Sequence, residues 1–212
     1  MKRATRATTK RPAEARPAPQ NEVDRAEGTL TAARAALHEQ EERLAATRPK
    51  ILETQEERRE AVLAGDEARS SKLRASIATL TAEAEDLEKV VLPTMRKRVE
   101  DCRAALTKAA IAAMDEMLVD LDAQTAAALA AFMATPRAEE AHTAARLYRE
   151  AYSLGHDLLS VTGAMKHRRT WSVGLFRRFA EVDPALRAAK PVVDQPWAHL
   201  LKLARGQEGV AA

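Results

Sequence analysis

The first 131 residues of this 212-residue chain contain no Phe, Trp or Tyr; all seven aromatics, Phe132, Tyr148, Tyr152, Trp171, Phe176, Phe179 and Trp197, lie beyond them. A rounded core normally takes aromatic rings, so this absence excludes a compact domain from most of the chain and leaves a narrow helix seam. Glycine is scarce and strands have little support, whereas the Ala, Leu, Glu and Arg bias matches long helices. Cys102 is the sole cysteine, which excludes an internal disulfide and favours a reducing compartment, the cytoplasm. No run approaches the roughly 20 apolar residues that span a bilayer, and no apolar segment follows the charges of the start, so neither membrane nor secretion is expected.

Charge is unevenly spread. Residues 1–20 carry six basic and one acidic side chain, 21–135 carry 16 and 22, and 136–212 carry 12 and eight. Both ends can meet an acidic partner while the middle stays negative. Pro12, Pro17 and Pro19 and the lack of helical period make 1–20 a disordered basic arm.

What is present is a heptad. Val23, Leu30, Leu37, Leu44 and Ile51 lie seven apart, with Ala26 and Ala33 between them and polar Gln40 and Thr47 later in that column. Gly65-Asp66 then reads as a helix stop and an Asp N-cap. Beyond it Leu73, Ile77, Leu80, Ala84, Leu87 and Val91 keep one stripe. Folding about 65–66 faces Leu44 with Leu87 and Ile51 with Leu80, and brings Leu37 near Met95, which predicts an antiparallel hairpin over 21–103. Pro49 and Pro93 predict kinks or breaks, and the steps of four through Leu87, Val91, Met95 and Val99 are a stutter that predicts local unwinding.

From Ala104 the apolar face widens through Leu106, Met114, Leu118, Leu129 and Phe132, implying more than one neighbour. Pro136 ends that helix, Tyr148 to Leu159 lie on the next with Gly163 as its stop, and shorter helices follow Thr170, Pro184 and Pro196. The fold expected is all-α: a long antiparallel coiled-coil hairpin, a C-terminal helical bundle over 104–205 and a loose tail over 206–212.

Chemistry is sparse. Glu139 and His142 have the spacing of one carboxylate-histidine helix pair, but a di-iron site needs a second, so no metal is expected; a solvated first turn suits them and Glu140 better. His156 and Asp157 are adjacent and point apart on a helix, and Cys102 falls on the seam as an inert thiol. Asp115, Glu116, Asp120 and Asp122 can attract cations or a basic partner, although a solvated face is the simpler explanation. Phosphate loops, dinucleotide glycines and nucleophile elbows are missing, so neither a cofactor nor a catalytic residue is expected.

The strongest anomaly is Lys166, His167, Arg168, Arg169 and Trp171, followed by Phe176, Arg177, Arg178 and Phe179, with no acid between Asp157 and Glu181. Such a segment docks acidic proteins or binds nucleic acid, or its rings close the small core while its charges stay solvated. A charged hairpin turning at Leu63-Ala64-Gly65-Asp66-Glu67 with a basic end at Lys166 to Arg178 resembles phage and prophage scaffolding proteins in layout. The resemblance implies a self-associating assembly factor, cytoplasmic or virion-associated, that contacts a coat-like protein through its basic end. The alternative is a nucleic-acid-binding accessory protein using Lys2 to Arg16 and the same basic patch.

Overall fold

The computed structural model describes residues 19–163, 173–183, 186 and 195–207. Most of the described residues are helical, none of them forms a strand, and the fold is all-α, built on a long hairpin. Helix α1 spans Pro19–Leu63 and α2 spans Glu67–Asp86; a π-helical turn, Leu87–Val91, joins α2 to α3, Leu92–Ala134. Helices α4 (Ala138–Thr162), α5 (Val173–Val182) and α6 (Ala198–Ala204) follow. Because Pro19 already opens α1, the arm expected over 1–20 is shortened at its end, and residues 1–18 lie outside the described set.

The turn closes as expected. Gly65 adopts φ +71°, its N–H bonds Val62 O at 3.1 Å, and the N–H of Asp66 bonds Ala61 O at 2.9 Å, the paired bonds of a Schellman stop. The Asp66 carboxylate then accepts the N–H of Arg69 at 2.9 Å and caps α2. Glycine is required here because a β-carbon opposes that φ.

Across the hairpin Leu44, Leu87 and Leu92 form one buried cluster with Leu37, Ala84 and Val91 against it. The predicted register therefore holds at its centre. Arg43–Glu83, Arg48–Glu88 at 3.2 Å and Arg96–Glu41 at 3.0 Å cross the same seam on its outside. Exposed pairs of this kind contribute about 0–1 kcal/mol each, so apolar burial holds the register and the pairs bias it. Val23 and Leu30 are buried as well, whereas Leu37, Ile51, Leu73, Ile77, Leu80 and Val91 are half-buried, as two helices alone must leave them. Thr47 is buried in its column, and its hydroxyl donates to Arg43 O at 2.8 Å.

The two prolines behave differently. Helix α1 continues through Pro49, so no break forms there. Pro93 lies just after the π turn, in which the N–H of Leu92 bonds Leu87 O. The wider turn absorbs the extra residue of the stutter and moves the preceding carbonyls away from the proline ring.

The base of the hairpin enters the bundle without a break in the core. Val23 and Leu30 share one cluster with Leu106, Met114, Leu118, Leu154, Leu158 and Trp197. A second cluster holds Phe132, Ala144, Ala145 and Phe179, with Phe132 and Phe179 in edge-to-face contact at 5.0 Å between ring centres. Arg103 donates to Gly206 O at 2.7 Å, so the expected loose tail does not begin at 206. Residues 208–212, and the helix expected after Pro184 apart from Leu186, lie outside the described residues.

Leu44→Ala should cost about 2–3 kcal/mol, the lower end for a buried leucine, and Val90→Ala within about 0.5 kcal/mol because Val90 is exposed. Urea unfolding followed by helicity measures both.

Candidate partner-binding surface

Of the expected partner-binding residues, Arg177 and Arg178 lie on α5 within the described set, and both are exposed. Lys166, His167, Arg168, Arg169 and Trp171 lie outside it, as does the side chain of Phe176. Phe179, next in sequence, is fully buried against Phe132 and anchors α5 to the end cluster. One short helix therefore divides its duties between a ring in the core and guanidiniums in solvent. Arg177 approaches Glu181 at 3.9 Å and Arg178 reaches Met133 Sδ at 3.7 Å, contacts too weak to neutralise either charge.

The other candidates resolve into structural roles. His142 pairs with Asp183 rather than sharing a site with Glu139, joining α4 to the end of α5. Glu140 is half-buried, with Oε2 enclosed and unpartnered, so the first turn of α4 is less solvated than expected. Among the described residues no three His, Cys, Asp or Glu side chains are grouped to hold a metal ion. His156 is exposed, while Asp157 accepts the Trp197 indole N–H at 2.9 Å and ties α4 to the start of α6. Cys102 is half-buried against the bundle core, beside a groove of about 610 Å³ between α1 and α3. Glu85 and Lys89 bond on the surface; the Lys89 ammonium holds the Glu85 carboxyl below the ordinary range, and Glu85 holds Lys89 above it.

Sequence reasoning missed two surfaces. The heptad column through Val23 and Ile51 next reaches Arg58, so a cation occupies the seam near the tip. That break was readable by adding seven once more. The second is α3: the continuous helix Glu67–Ala134 contains an 18-residue window of mean hydropathy 1.3 of which only 17% is buried, enough by length and composition to cross a membrane. No unbroken apolar run is present, as expected, but isolated Asp residues within an alanine-rich stretch hide its overall apolarity from a search for such runs.

No protein-family model matches the chain, and comparison with curated proteins and with solved structures returns no match. The surfaces themselves carry the functional argument.

Asp157→Ala should cost about 1–3 kcal/mol by leaving the buried indole N–H of Trp197 without an acceptor. A lowered urea midpoint and altered emission from Trp197 in a Trp171→Phe background check this.

Proposed function

We propose that this is a non-enzymatic structural or assembly protein, a helical rod that holds a basic docking end at a fixed distance from its tip. The observation that carries this reading is α5, where fully buried Phe179 holds Arg177 and Arg178 outward at the bundle end. Guanidiniums on a core-anchored helix lose little freedom when they meet carboxylates, which suits an acidic protein partner. Lys166, Arg168 and Arg169, close in sequence, enlarge the positive charge available to the same partner. Role and layout are of the scaffolding kind, with self-association of the rod and action in the cytoplasm or on a virion.

Arg177→Glu/Arg178→Glu should abolish capture of a stoichiometric protein partner from native-host lysate while leaving helicity unchanged. Capture should survive nuclease. Loss of all bound material on nuclease treatment, with binding that falls steeply with salt, would instead favour nucleic acid.

A further inference from the structure

At the hairpin tip Leu63 is 82% exposed and Val62 57%. They border an open notch of about 290 Å³ lined also by Gln55, Arg58, Arg59 and Ile77, with no carboxylate among its walls. Arg58 and Arg59 form no ion pair among the described residues, and the Arg58 Nε is buried without an acceptor. An enclosed donor of that kind is destabilising until something supplies an oxygen. The tip thus combines apolar side chains with two uncompensated cations.

Its complement lies on α3. Glu116, Val119 and Asp120 occupy positions i, i+3 and i+4 of one helix face, and all three are exposed, Val119 at 57%. Neither Glu116 nor Asp120 is paired among the described residues. Exposed Ala123 and Ala127 continue the face. The two patches cannot meet within one chain, because the continuous helix from Glu67 to Asp120 holds them about 80 Å apart at about 1.5 Å per residue.

We propose that the tip of one copy docks on the acidic α3 face of a second copy. Val62 and Leu63 cover Val119 and its alanine neighbours, while Arg58 and Arg59 meet Glu116 and Asp120. Two rods laid antiparallel make this contact twice, which closes a dimer and leaves the heptad seam paired within each chain. A lipid surface suits the α3 face less well, since it would strip water from Glu116 and Asp120 without offering a cation. The inference rests on the assembly reading above and names its self-association.

The test is a charge swap on the full chain, read as mass against concentration by sedimentation, with helicity as the folding control. Wild type should dimerise with rising concentration. Arg58→Glu/Arg59→Glu and Glu116→Arg/Asp120→Arg should each weaken dimerisation by more than about tenfold, through like charges brought together. Mixing the two variants, or combining all four changes in one chain, should restore it. Wild type that stays monomeric, variants that dimerise as wild type does, or monomers that instead bind phosphatidylcholine–phosphatidylglycerol vesicles would overturn the proposal. Partner capture through Arg177 and Arg178 is scored on the same variants. Retained capture without charge rescue defeats the dimer alone, and rescue without Arg177-dependent capture defeats the assembly reading alone.

Discussion

Leu44 stays dry only while Leu87 and Leu92 face it, and that pairing depends on a chain reversal some twenty residues away at Gly65. Rigid helices transmit the position of the turn along the rod, so the Gly65 stop and the Asp66 cap determine which side chains meet. Register at Leu44 in turn brings Val23 and Leu30 onto Leu106 and into the core shared with α4 and α6. The bundle therefore leans on the hairpin as much as the hairpin on the bundle. Helix α2 contains no buried residue, and a pair of helices with half-buried leucines is marginal alone.

The hairpin was legible because its determinants are local and periodic. A seven-residue repeat, one glycine with an aspartate after it, and a slip in the stripe before Pro93 each have one simple structural consequence, and the turn, the cap and the π turn follow. Pro49 does not end α1, because a proline's cost depends on whether packing on both sides compensates, and here buried Leu44 and Thr47 precede it and half-buried Ile51 follows. The bundle was legible only as a helix count. The Trp197–Asp157 bond joins residues 40 apart, and His142–Asp183 joins residues 41 apart; no period links such positions.

The candidate surfaces were legible in charge but not in geometry. The basic run around Arg177 stood out by composition, yet the division of labour between Phe179 and its neighbours needs the packing of α5 against Phe132. The acidic run on α3 showed in the sequence, but the exposed apolar residues between its charges matter only once the helix is known to leave that face uncovered. Arg58 is the converse case, a visible break in the heptad whose meaning depends on an enclosed donor without an acceptor.

The whole account depends on the seam being closed within one chain. Spin labels at Glu41→Cys and Arg96→Cys, with Cys102→Ala to remove the native thiol, sit on facing turns joined by an exposed ion pair. Helix axes about 10 Å apart should keep the labels within roughly 20 Å. Doubly labelled chains refolded with excess unlabelled protein should retain that short distance undiminished. Its disappearance on dilution would show that the two arms come from different chains and would contradict the account.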